Sequence, residues 1–134
     1  MKSKTVLERL KNGEILISDG ATGTYLQNHG LEPGGCPEEF NASHPDVVKQ
    51  MAKAYFESGS DMVLTDSFGG NRFIQEKYGF GQRVKEFNRL SAQYARSQAP
   101  QGGFVVGSVG PTGQFLEPLG EVSPEEMYEA FAEQ

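Results

Sequence analysis

One cysteine, Cys36, stands in the whole chain, and there is no tryptophan. A single thiol excludes an internal disulfide and suits a reducing compartment. It also excludes a thiolate-rich zinc site built from this chain alone, because such sites take several cysteines. Histidine is nearly as scarce. His29 sits beside the helix-stopping Gly30, and His44 precedes Pro45. Neither follows a strand, where it could serve as base to a nucleophile. Positive charge is short too: 12 Lys and Arg stand against 18 Asp and Glu, for a net charge of −6. The basic residues are scattered among acids, which argues against nucleic acid as a partner. No apolar run approaches a membrane span. Charges in Met-Lys-Ser-Lys-Thr-Val-Leu-Glu-Arg-Leu-Lys interrupt the apolar stretch that a signal peptide needs. The expectation is a cytoplasmic protein with neither membrane nor nucleic acid as partner. Hydrophobic residues, at 37%, fall below the usual share for one domain of this size.

What is present is a repeated local design. Ile15, Leu16 and Ile17 form a short apolar run that ends in Ser18-Asp19-Gly20-Ala21-Thr22-Gly23. Asp61-Met-Val-Leu-Thr-Asp-Ser-Phe-Gly-Gly-Asn71 and Phe104-Val-Val-Gly-Ser-Val-Gly-Pro-Thr-Gly113 follow the same plan. Runs of this length predict strands near residues 14–18, 61–65 and 103–107, the first of them buried on both faces as in a parallel sheet. Helical patterns separate the three, the alternation expected of βα units with parallel strands adjacent in sequence order. Each polar cluster then falls at the carboxyl end of its strand, the edge where such sheets bind ligands. An aspartate at position 19 suits either a ligand contact or a bond to the backbone of its own turn.

The helices carry readable stop and start signals. Thr5–Lys11 predicts a short amphipathic helix across the start of the first strand, with Val6, Leu7 and Leu10 on one side. Thr22–His29 gives about two turns before Gly30. Ser43-His44-Pro45-Asp46 opens a longer helix with a polar cap, Pro in the first turn and an acid favoured by the dipole. Val47, Met51 and Tyr55 share one stripe of it, and Val48, Ala52 and Phe56 an adjacent one. That wide apolar face suits packing on a sheet. Asn71–Tyr78 and Gln82–Gln98 read as further helices. Ser123-Pro-Glu-Glu126 is a capping box.

Several chemistries are weak on this pattern. Gly107–Gly113 lacks the lysine of a phosphate loop and the spacing of a dinucleotide fingerprint. Ser67 has no histidine to activate it. Asp19, Asp66 and Glu117 do not have the spacing of a cation loop.

The ordered set of motifs resembles the homocysteine S-methyltransferase family. It comprises Asp19-Gly-Ala-Thr-Gly-Thr24, Pro45-Asp-Val-Val48 with Tyr55, Glu57-Ser-Gly-Ser-Asp-Met-Val-Leu-Thr65, Ser67-Phe-Gly-Gly-Asn71, and Gly107-Ser-Val-Gly-Pro-Thr-Gly113 with Glu117-Pro-Leu-Gly120. The likeness runs across nearly the whole chain and is strongest to bacterial betaine- or methyltetrahydrofolate-dependent members. It implies an α/β fold, a (β/α)8 TIM barrel, of which residues 1–134 would supply about the first three βα units. A complete barrel needs about 250 residues. It also implies methyl transfer to the thiol of homocysteine, giving methionine, from betaine, methyltetrahydrofolate or methylcobalamin. Zinc held by three cysteines makes the homocysteine thiolate in that family. Those cysteines lie on later strands, so this chain is expected to hold no zinc and to be inactive alone, with no catalytic residue of its own. The resemblance implies that Asp19 helps hold the substrate's amino group, with the backbone of Gly20 and Ala21 and with Thr22 nearby, and that Ser67, Phe68, Gly69 and Asn71 line the pocket. Asp66 departs from the asparagine common in many members. Two alternatives stay open: a corrinoid-linked methyltransferase on the same barrel, and a non-catalytic partial barrel that binds or assembles. Unpaired strand edges favour self-association.

Overall fold

The computed structural model describes residues 4–134. Two regular strands, β1 (Met62–Leu64) and β2 (Phe104–Val106), pair in parallel with Val63 opposite Val105. The stretch before Asp19 joins the other edge of β1 through one parallel bridge, Ser18 to Met62. The three segments thus lie parallel and adjacent in sequence order, as short βα connections dictate. The result is an α/β structure with a small open sheet; a closed barrel is not formed.

The first segment is not the doubly buried strand that its apolar run predicts. Ile15 is 89% exposed and Ile17 is 58% exposed. It has a neighbour on one side only, so nothing covers its outer edge. What holds it is side-chain chemistry at both ends. Asp61 Oδ2 accepts the Ile17 N–H at 2.9 Å, and Asp19 Oδ2 accepts the Leu64 N–H at 3.0 Å. Between them, the Met62 carbonyl accepts the Asp19 N–H at 3.1 Å. Two aspartate carboxylates therefore stand in for ladder carbonyls and pin the edge segment to β1.

The helices are α1 (Val6–Lys11), α2 (Gly23–Gln27), α3 (Phe40–Ser43), α4 (Pro45–Glu57), α5 (Arg72–Lys77), α6 (Val84–Gln98) and α7 (Pro124–Glu133). The capping boxes at Thr5 and Ser123 both form. The apolar side of α1 stays outside the core, with Leu7 and Leu10 exposed. Charge anchors that helix instead. Arg9 bonds Glu14 at 2.7 Å and Asp61 at 2.8 Å. Its guanidinium also lies 5.8 Å from the centre of the Phe104 ring.

The core sits between the sheet and its helical layer. α4 and α6 pack together over one face of the sheet. Ala52, Phe56, Val63 and Ala95 meet there, with Val105 packed alongside. Side chains alternate along a strand. Val63, at 1% exposed, therefore points into the helices, while Met62 and Leu64 point to the less covered face. A second cluster, Leu26, Leu31, Phe40, Val48 and Met51, carries α2 and α3 on α4. Helix α4 realises both stripes read from its sequence, though Ser43 belongs to α3 rather than capping it.

Candidate functional site

The loops after the three parallel segments converge. Thr65 and Ser67 share a hydroxyl bond of 2.6 Å, and Ser67 Oγ donates to the Ser108 carbonyl at 2.9 Å. The Ser108 N–H returns to Thr65 Oγ1 at 3.0 Å. Asn71 caps α5 by accepting the Ile74 N–H at 3.1 Å. The Phe68 carbonyl accepts the Gly110 N–H at 2.9 Å. A Cβ on Gly110 would lie 2.5 Å from that carbonyl oxygen, so only glycine lets the two loops touch.

Under these loops lies a cavity of about 610 Å³. Gly20, Thr22, Ser67, Phe68 and Gly69 line it, with Leu64, Ile74, Tyr78, Ser108 and Pro111. Of the residues singled out from sequence, five face this space. The other three act on the protein itself. Asp19 takes the Leu64 N–H and the Ser18 hydroxyl. The Ala21 carbonyl accepts the Tyr55 hydroxyl at 2.7 Å. Asn71 holds the start of α5.

Sequence reasoning missed the polar floor. Pro37–Glu39 forms a short 3-10 turn that drives Glu38 inward to 2% exposed. Its Oε1 accepts the Gly69 N–H at 2.6 Å, and its Oε2 accepts Gln75 Nε2 at 3.1 Å and the Cys36 thiol at 3.4 Å. Gln75, fully buried, donates again to the Gly69 carbonyl at 2.9 Å. Burial, then the Glu38 charge, pushes the Cys36 thiol up to about 12, so it keeps its proton. Asp66 lines the same floor at 4% exposed. Its carbonyl accepts from Asn41 at 2.8 Å, but its side-chain Oδ2 is buried with no hydrogen-bond partner. Burial first and Glu38 second raise this carboxyl well above the ordinary aspartate range.

Residues 16–134 match the family model for homocysteine S-methyltransferases. The chain belongs to that family. It is 33% identical to methionine synthase of Mycobacterium tuberculosis, over 89% of this chain and 11% of that protein. It is 28% identical to betaine–homocysteine S-methyltransferase 1 of Bos taurus, over 94% of this chain and 32% of that protein. It therefore spans between a tenth and a third of these relatives. Among solved structures, the oxidised form of the homocysteine methyltransferase MmuM of Escherichia coli superposes with a TM-score of 0.68 at 24% identity, over 82% of this chain and 42% of that one. A metallated form of MmuM superposes with a TM-score of 0.65 at 23% identity, over 78% of this chain and 41% of that one. These two likenesses carry the fold.

Among the described residues, no three His, Cys, Asp or Glu side chains cluster as ligands would. Cys36 is the one cysteine of the chain and its thiol is bonded within the floor, so the several thiolates of a zinc centre are not at hand. The described side chains do not fit a thiolate zinc centre. Among the same residues, no helix is long and apolar enough to cross a membrane.

Proposed function

We propose that this chain is the homocysteine-receiving part of a homocysteine S-methyltransferase, the first βα units, residues 1–134, of a (β/α)8 barrel. The observation that supports it is the convergence of three strand-end loops on one cavity, at the edge where barrels bind substrate. Gly20, Thr22, Ser67, Phe68 and Gly69 contact homocysteine in this reading. Asp19, Ala21 and Asn71 place the loops that carry them.

The chemistry divides accordingly. In the full enzyme, zinc on thiolates outside this stretch would lower the pKa of the substrate thiol. The residues here bind and orient. The backbone at Gly20 and Gly69 allows close approach, and Leu64, Ile74 and Phe68 offer the substrate's carbon chain an apolar wall. The methyl donor, whether betaine, methyltetrahydrofolate or methylcobalamin, would be met by surfaces beyond these units. The remaining βα units of the barrel would pair with the open edges of this sheet.

Calorimetric titration of the chain with L-homocysteine tests the reading. Saturable binding that L-serine does not match is the expected result. Absence of any binding at millimolar ligand would sink it.

A further inference from the structure

The three strand-end loops are not held alike. The second and third are stitched to each other through Thr65, Ser67 and Ser108, and through the Gly110 N–H on the Phe68 carbonyl. The first, residues 20–23, makes no hydrogen bond to either of them among the described residues. It follows the edge segment, which a single bridge joins to β1. Gly20, Thr22 and Gly23 nonetheless line the cavity. Two contacts hold this loop. At its start, Asp19 is tied to β1 through the Leu64 N–H. In its middle, the Ala21 carbonyl accepts the Tyr55 hydroxyl, which reaches it from α4, at 2.7 Å.

We propose that Tyr55 is the positioning residue of the first loop, setting where Gly20 and Thr22 stand in the cavity wall without lining the cavity itself. This deepens the homocysteine reading and rests on it for the identity of the ligand. The hold on the loop follows from the contacts of the free chain alone.

Tyr55 reaches the loop from a fixed base. Its ring packs against both core clusters, the one around Leu26 and Met51 and the one around Ala52 and Val63. The apolar body is thereby held and the polar tip is left to find a partner. The ring also supports the loop from below. A Cβ on Gly20 would stand 3.2 Å from Tyr55 Cε1 and 3.2 Å from its hydroxyl oxygen, so a residue larger than glycine presses the loop off the ring. Burial first, then the Asp19 charge, then Tyr25 push the Tyr55 hydroxyl above the ordinary tyrosine range, so it keeps the proton that it donates. A shift of about 1 Å in a wall that orients a ligand is enough to weaken its hold.

The test is amide hydrogen exchange of the free chain, then calorimetric titration with L-homocysteine, comparing Tyr55→Phe with the unmodified chain. The substitution keeps the packed ring and removes only the hydroxyl. The Leu64 amide, which Asp19 protects, reports the loop's hold on β1. Its exchange should quicken roughly threefold to tenfold, the worth of one net hydrogen bond. The Thr65 and Phe104 amides, bonded between β1 and β2, should keep their rates. Homocysteine should bind roughly threefold to tenfold more weakly. Unchanged Leu64 exchange overturns the proposal, and so does a rise shared equally by Thr65 and Phe104, which would make Tyr55 a core residue only. Selective Leu64 exchange with equal homocysteine affinity overturns it too, and leaves the homocysteine reading standing. Absence of homocysteine binding by both proteins removes that reading, and the exchange rates then decide the role of Tyr55 by themselves. If Tyr55→Phe does not fold, Gly20→Ala probes the same contact from the loop side. Its Cβ presses on the ring, so Leu64 exchange should again rise alone, and an unchanged rate overturns the proposal.

Discussion

Asp61 and Asp66 flank the same three-residue strand, and the molecule gives them opposite surroundings. At the amino end, Asp61 is about a quarter exposed, bonded to the Ile17 N–H and to Arg9. Those bonds hold its carboxyl below the usual aspartate value. At the carboxyl end, Asp66 is buried beside Glu38, with one oxygen orphaned, and its carboxyl is raised. A carboxylate given donors stabilises the fold in its charged form. One denied donors is a cost that the fold carries for another reason. Strained electrostatics of this kind collect at functional sites. The comparison therefore separates a clamp from a site along about three residues of backbone.

The largest effect should come from dismantling the polar floor. Glu38→Ala leaves the Gly69 N–H and one Gln75 N–H without their acceptor, while the Cys36 thiol keeps Gln75 Oε1 at 3.4 Å. Each buried unsatisfied group costs about 1–3 kcal/mol, so the loss should reach about 3 kcal/mol or more in urea unfolding. A loss below about 1 kcal/mol would mean that Glu38 is not the hub of a buried network.

Asp66→Asn should sharpen the contrast through pH. The carboxyl is raised in the fold, so the folded chain retains a proton that the unfolded chain releases above about 3.9. The stability tied to this group is complete below that value and drains away as pH rises toward its raised value in the fold. The slope is at most about 1.4 kcal/mol per pH unit. Asp66→Asn has no such proton. It should be more stable than the unmodified chain at pH 7, with the gap closing on acidification toward pH 4. Parallel stability curves for the two proteins would refute a raised carboxyl.

How far the sequence foretold this depends on the range of the interactions. The helical stripes of α4 were legible because they are local: Val48, Ala52 and Phe56 recur at helical spacing, and all are buried. So was the parallel order of the three segments, which follows from the alternation of elements. The edge segment was misread because Ile15–Ile17 has the composition of an inner strand, and composition does not say whether a second neighbour is present. Gly20, Thr22, Ser67, Phe68 and Gly69 line one cavity beyond the ends of the parallel segments, the edge to which the alternation of elements points. Glu38 was invisible. Its burial depends on Gly69 and Gln75, 31 and 37 residues away, and nothing in Pro37-Glu38-Glu39 marks one acid as inward. Asp66 did carry a signal, since the family resemblance marks it as a departure from the asparagine common in many members. Its meaning needed the missing partner on Oδ2.

The smallest effect belongs to the clamp. Asp61→Asn keeps the side-chain shape and an oxygen to accept the Ile17 N–H, but removes the charge that faces Arg9. The ion pair is partly solvated, so its contribution is modest. The sign of its pH dependence is nonetheless opposite to that of Asp66. A lowered carboxyl stabilises above the ordinary aspartate value, and that stabilisation is lost as pH falls through its depressed value in the fold. The variant should therefore melt slightly below the unmodified chain at pH 7, and the difference should vanish on strong acidification. Added salt should shrink it as well, since it screens exposed charges. Homocysteine affinity should not change, because Asp61 lies at the far end of β1 from the cavity. A melting difference that grew on acidification would show that Asp61 is not held by donors. Weakened ligand binding would show that the two ends of the strand are coupled, and that the clamp also sets the geometry of the floor through Met62, Val63 and Leu64.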